Sequence, residues 1–317
     1  MRLSYISAIS AVLIVPMMWG QLPPGPPPGP EPHAPRPGAV NYIEGQVTTG
    51  NQTIGQNSIG MVELGPNQPI STQAGKAEIL LTPGVFVRIA DQSTLTMVSP
   101  DLANTEVRLD KGRAMVEIVE IHKENNIRVD VAGANVRLVK DGLYEFDADS
   151  KEIRTFKGEA EISAGAKPVK VGEDHMLTVG ANAKPEKFEE KQYQDDFYRW
   201  CSLRSGYMSE ASMDAARAYV PSGEGGPYGP GWDGWGWYWD PYFSGYTFLP
   251  GDGIFYSPFG WGFWSPIAVF RSPYFFYGNR GPHAFGEVHG PYGHGIPGGF
   301  NGFRGGGGFH GGGGGRR

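Results

Sequence analysis

Three groups of side chains have types that could support chemistry. His122-x-Glu124 sets an imidazole two residues from a carboxylate, which is half of the zinc motif used by nucleobase deaminases. That motif also needs paired cysteines, and Cys201 is the only cysteine in the chain, so the pair is expected at the surface. Asp195-Asp196 offers two carboxylates, but adjacent residues on a helix point in different directions, which suits a helix cap or a solvated first turn better than acid–base work. Cys201, beside Trp200, has nothing nearby in sequence to lower its pKa and reads as a small buried hydrophobe. No G-x-S-x-G elbow, H-E-x-x-H, P-loop or strand-following G-x-G-x-x-G is present. The expectation is a non-enzymatic protein with no catalytic residue, metal ligand set or cofactor. A hydrolase with an unrecognised site would instead show a cleft holding a strongly perturbed carboxylate or His.

Binding chemistry is better represented. From Pro227 to Gly278 the chain is crowded with rings, and Trp232, Trp235, Trp237, Trp239, Tyr242, Trp261 and Trp264 form a candidate binding surface. Three uses of such rings compete: a satellite core of stacked aromatics, a rigid surface for a glycan or an envelope protein, and insertion at a membrane interface. Tyr246–Leu249 and Ile254–Ser257 flank Pro250-Gly251-Asp252-Gly253 and are expected to pair as a hairpin.

The surrounding chain sets the context. Its 49 Gly and 27 Pro are concentrated at the two ends, and its formal charge of −6 gives no basic face for nucleic acid. Arg2 followed by an apolar run from Leu3 to Trp19 and a small Gly20 reads as an export signal over residues 1–20. If uncleaved, the same run is close to membrane-spanning length and would be the chain's membrane contact. Residues 21–38, QLPPGPPPGPEPHAPRPG, are a proline-rich linker, read as a stiff spacer or, less simply, a proline ligand. With one cysteine, no intramolecular disulfide is available outside the cytoplasm.

Between residues 39 and 182 short β-branched runs alternate with period two: Ala77–Leu81, Val85–Ile89, Ile127–Val131 and Tyr144–Phe146. Val85, Val87 and Ile89 share one face and Arg88 takes the other, so one face is expected to be buried. A weak repeat, GKAEI at Gly75, GRAMV at Gly112 and GEAEI at Gly158, places a turn glycine before an inward Ala and an inward aliphatic. The repeat spacings are unequal, so a compact double-layered or β-helix-like all-β module is expected rather than a regular solenoid.

The order AVNYIEGQVTTG, QPISTQAGKAEILLTPGVFVRIADQSTLTMV, VRLDKGRAMVEIV, IRVDVAGANVRLVKDGLYEFDADSKEIRTFKGEAEISA and VKVGEDHMLTVG resembles the FecR domain over most of Ala39 to Gly180. The family's G-T-x-F token stands here as Gly142-Leu143-Tyr144-Glu145-Phe146. Signalling members of that family usually carry a cytoplasmic anti-sigma segment and a membrane helix ahead of the domain. Neither is seen before residue 39, so the resemblance implies an exported β-module of this type that makes protein–protein or signal-related contacts in the envelope, without the classical transmembrane arrangement.

Residues 183–220 are expected to hold one amphipathic helix from Glu186 to Tyr219, with Phe188, Tyr193, Phe197, Trp200, Leu203, Tyr207 and Ala211 as an apolar stripe that packs on the β-module or on another copy. DDFYRWCSLRSGYMSEA resembles the helical segment that follows FecR domains in acidobacterial exported proteins. Residues 221–279 form the low-complexity aromatic region and 280–317 a disordered Gly-rich tail, whose His283, His289, His294 and His310 lack the fixed geometry a metal needs. The chain is thus expected in the periplasm or at the cell surface of a Gram-negative-type bacterium, contacting an envelope protein or a glycan, or associating with itself, and not binding nucleic acid.

Overall fold

The structure, a computed structural model, describes residues 35–163, 168–180, 183–220, 232 and 234–272. The export signal, most of the proline-rich linker, Tyr274–Tyr277 and the Gly-rich tail lie outside the described residues.

Fifteen strands make one continuous sheet: β1 (Val40–Thr49), β2 (Gln52–Ile54), β3 (Gln68–Leu80), β4 (Val85–Ile89), β5 (Thr94–Pro100), β6 (Thr105–Lys111), β7 (Arg113–Ile118), β8 (Ile127–Val131), β9 (Ala134–Leu138), β10 (Gly142–Asp147), β11 (Glu152–Lys157), β12 (Glu159–Ser163), β13 (Val169–Gly172), β14 (His175–Thr178) and β15 (Glu186–Lys187). The order is β13-β12-β9-β8-β6-β5-β3-β4-β7-β10-β11-β14-β15, with β1 also paired to β3 and β2 to β1. Among the described residues only β6 and β8 run parallel. The sheet folds over on itself. Val107, Val129, Val136 and Ile162 from one half close on Val87, Val116, Phe146 and Ile153 from the other in a single buried cluster, which makes the module double-layered.

The glycines of the repeat stand where the chain passes between layers. β3 pairs with β5 through Gln68–Ser71 and with β4 through Ala77–Leu80, and the change of partner falls at Gly75. There a Cβ would lie 2.4 Å from the Glu44 carbonyl oxygen. Gly112, at φ +71°, joins β6 to β7, and Gly158, at φ +97°, joins β11 to β12. The inward Ala77, Ala114 and Ala160 and the aliphatics Ile79, Val116 and Ile162 that follow are all buried, as the repeat implies.

Two expectations about the next element need correction. Helix α1 spans Asp196–Ala218, not Glu186–Tyr219. Glu186 and Lys187 instead extend the sheet as β15, and Glu190–Gln192 form a single 3-10 turn. Phe188 and Tyr193 mimic the helical stripe because Phe188 packs edge-on to Phe156 at 5.2 Å and Tyr193 edge-on to Phe188, on the same sheet face that α1 covers. Asp195 fixes the true start, its carboxylate accepting the Tyr198 N–H at 3.0 Å.

The aromatic region also departs from its expected pairing. β16 (Gly236–Asp240) pairs with β17 (Gly245–Leu249), and β18 (Ile254–Tyr256) with β19 (Gly262–Trp264), so the strands flanking Pro250–Gly253 do not pair with each other. Asp240 turns the first hairpin by accepting the Tyr242 and Phe243 N–H groups. The second is turned by Ser257, whose hydroxyl accepts from Phe259 N–H. A short helix, α2 (Pro266–Arg271), follows, capped by Ser265.

Candidate functional site

The face of the sheet that carries Arg88 is not solvent-facing. A row of directly opposed residues crosses six strands: Glu78, Arg88, Met115, Glu145, Arg154 and Met176. Arg88 is fully buried, donating to Glu78 at 2.8 Å and to Glu117 at 2.5 Å. Arg204 of α1 donates to the other oxygen of Glu78 at 2.8 Å, with its guanidinium 4.0 Å from the Tyr42 ring. Further along, Arg113 bridges Glu145 and the helix cap Asp195, and Arg154 reaches Glu145 and Glu152. The layer between sheet and helix is therefore built from ion pairs, and each buried charge has an opposite charge within reach.

Burial alone would raise the Glu78 carboxyl, but Arg204 and Arg88 beside it, with hydrogen bonds from Arg204 and Asn41, hold it down to about 2. At Glu145 burial wins over Arg113 and Arg154, and its carboxyl is raised. Burial likewise pushes the Cys201 thiol up, in keeping with a small buried hydrophobe.

This ionic layer decides which way α1 is turned. A helix laid on charged groups must present polar or small residues to them, so Cys201, Arg204, Ser205, Met208, Ala211 and Ser212 face inward. Ser205 donates to Glu117 at 2.5 Å, Ser209 donates to the Gly262 carbonyl at 2.6 Å, and Ser212 accepts from Trp264 N–H at 2.9 Å. One serine ridge thus ties the helix to the sheet below and to β19. Asn41 performs the matching role for β17, accepting from Tyr246 N–H and donating to its carbonyl.

The apolar stripe read from the sequence is consequently split. Phe197 and Ala211 are buried, whereas Leu203 and Tyr207 point outward, each 43% exposed. Trp200 lies beside Tyr42 at 6.2 Å and donates its indole N–H to Glu44 at the edge of this outer face. Tyr207 approaches Phe243 at 6.3 Å, and Phe243 meets Tyr242, which is 86% exposed at the hairpin tip. Tyr42, Trp200, Leu203, Tyr207, Phe243 and Tyr242 thus form a strip along the outside of α1 and onto the β16–β17 tip. Gly206 leaves room on the opposite flank for Trp261, whose ring would stand 3.2 Å from an added Cβ.

The seven aromatic candidates are divided between core and surface. Trp264 is buried, Trp237 packs edge-on to Phe86 and Phe248, Trp239 packs against Tyr246, and Trp232 stacks on Tyr238 at 5.3 Å. Trp235 (44%), Trp261 (39%) and Tyr242 remain open to solvent, with Trp235 stacked on His122 at 4.1 Å. His122 also sits 3.4 Å from Glu120. Leu203 and Tyr207, the centre of the exposed strip, belong to the expected apolar stripe but lie on its solvent side. The signal that would have turned them outward is the serine periodicity Ser205-Ser209-Ser212, which marks the hydrogen-bonding face of α1.

Fold and surface together define a two-layered all-β module, covered on one face by a helix and two aromatic hairpins. Residues 68–166 of this chain match the family described as FecR protein, so the chain carries a FecR domain from β3 to just beyond β12. No curated protein matches the chain. Two crystal structures described as "a putative anti-sigma factor" from Parabacteroides distasonis are similar at 12% and 11% identity, each over 40% of this chain and 62% of theirs, with a TM-score of 0.35. The chain therefore spans less than two-thirds of the length of that protein. No helix among the described residues is long and apolar enough to cross a membrane.

Proposed function

We propose that this chain is a non-enzymatic FecR-domain protein of the bacterial envelope that makes protein–protein contacts through the aromatic strip on α1 and the β16–β17 tip. One observation carries the reading: the helix turns its polar residues inward and leaves Leu203, Tyr207 and Tyr242 as a contiguous open face. A monomer that exposes rings side by side on hydrogen-bonded elements presents contact area at low entropic cost. The reading of residues 1–20 as an export signal supports a location outside the cytoplasm for that surface, with the FecR-type sheet as its scaffold. The test is crosslinking mass spectrometry in the native host, comparing the natural chain with a Leu203→Ser/Tyr207→Ser/Tyr242→Ser variant. Loss of envelope crosslinks from the variant is the expected result, and an unchanged crosslink map would sink the proposal.

A second reading draws on Trp235 and Trp261, whose half-open indoles could stack on sugar rings. Tryptophan fluorescence titrated with envelope glycans tests it, and a flat response across the panel eliminates it.

A further inference from the structure

The exposed strip has a candidate occupant within the same chain. Both of its ends return to β1 close to the point where the proline-rich stretch enters the fold. Tyr42 of β1 flanks Trp200 at one end. At the other, Asn41 holds Tyr246, three residues after Phe243. Entry itself is fixed by Arg36 N–H donating to Glu63 and Gly38 N–H donating to the Leu80 carbonyl. From Gly38 to either end of the strip is therefore at most about 30 Å, counting extended residues and one side-chain contact.

Residues 22–34, LPPGPPPGPEPHA, contain seven prolines. In the extended polyproline conformation they would cover about 40 Å, a length comparable to the span from the entry point to the strip. Such a segment makes few backbone hydrogen-bond demands and is recognised by rows of exposed rings. The spacing also suits it: Trp200 and Tyr207 are seven residues apart on α1 and so about 10 Å apart along the axis, close to one polyproline turn of about 9 Å. Tethering so close to the surface supplies a local concentration in the millimolar range, so even a weak contact would be substantially occupied.

We infer that residues 22–34 dock on the strip formed by Trp200, Leu203, Tyr207, Phe243 and Tyr242, covering the surface until a partner displaces them. The inference rests on the reading of that strip as a contact surface. It assigns the proline-rich stretch a role as intramolecular ligand, in addition to that of spacer.

The experiment is hydroxyl-radical footprinting of the full chain against a full-length variant in which the seven prolines of residues 22–34 are replaced by serine. Both Tyr207 and Tyr242 are expected to react about two- to fourfold faster in the variant, as a segment bound half to three-quarters of the time would give. Leu102, exposed on the β5–β6 connection, should not change. A peptide of residues 21–34 added to the variant at millimolar concentration, the range of the tethered segment, should restore the protection. Equal rates in the two chains overturn the inference, as does protection that grows with protein concentration in both, which would mean that a second copy covers the strip. The envelope-contact reading fails separately: if the prolines protect the strip yet the Leu203/Tyr207/Tyr242 variant keeps all its crosslinks, docking stands and the partner surface lies elsewhere.

Discussion

Glu78 is where the ionic layer is most exposed to test. Its carboxyl drops from the ordinary 4.5 to about 2 in the folded chain, so it contributes stability that is present above about 4.5 and lost as pH falls toward 2. Glu145 acts in the opposite sense. Its carboxyl is raised, so its contribution is present at low pH and is lost as pH rises through that raised value. Replacing Glu78 by Gln leaves Arg88 and Arg204 short of a charge partner and should cost about 3–5 kcal/mol near neutrality. It should also flatten the acid limb of a stability–pH curve measured by urea unfolding. An acid limb as steep as that of the natural chain would show that Glu78 is not the group responsible. The aromatic candidates separate just as cleanly. Phe248→Ala opens the cluster around Phe86 and Phe263 and should cost about 3–5 kcal/mol, whereas Tyr242→Ala should stay within about 0.5 kcal/mol. Similar losses for both in chemical denaturation would contradict the division into core and surface rings.

Among the elements, the layer crossings are the least tolerant. At Gly158 a side chain would face two penalties at once, a φ of +97° and a Cβ 2.2 Å from the Tyr144 hydroxyl, which itself donates to the Lys140 carbonyl. Gly158→Ala should therefore destabilise by more than about 2 kcal/mol, while Gly133→Ala, at a β8–β9 turn with open space around it, should show only the smaller cost of its positive φ. Thermal melts of the pair measure the difference, and equal shifts would leave the Tyr144 contact without weight. The repeat Gly-x-Ala-x-aliphatic made these crossings legible because glycine, inward Ala and inward aliphatic are local features. The period-two alternation made the strands legible for the same reason. What alternation could not convey was the fate of the second face: Glu78 and Glu117 look solvent-facing until α1 supplies Arg204, 126 residues after the first, and Ser205, 88 residues after the second, as partners. The outward turn of Leu203 and Tyr207 was hidden for that reason, since an apolar stripe is normally read as the buried side of a helix. The hairpin partners were hidden too, because Pro250–Gly253 has turn chemistry whether or not the strands beside it pair.

At the scale of the whole molecule, the aromatic region is part of the fold as well as a surface, and this determines how its function can be tested. Were it a detachable appendage, a chain ending after Tyr219 would keep an intact module and simply lose its rings. The contacts argue otherwise. Phe248 and Phe263 cover Leu80, Phe86 and Val119 on the outer face of the sheet, and β17 and β19 hold α1 through Thr247, Gly262 and Trp264. Uncovering those side chains forfeits about 1.5–3 kcal/mol apiece, several kcal/mol together. For a domain of this size that corresponds to a fall in Tm of about 10 °C or more. The truncated chain should melt early in calorimetry and bind a hydrophobic dye, while the Leu203→Ser/Tyr207→Ser/Tyr242→Ser chain should do neither, since it alters only exposed side chains. A truncated chain with an unchanged melt and no dye binding would restore the appendage picture. If the two chains behave as expected, a partner lost on truncation says nothing about the rings, because the scaffold is damaged with them. Only the surface variant, which leaves the ionic layer and the serine ridge in place, separates a contact surface from the core beneath it.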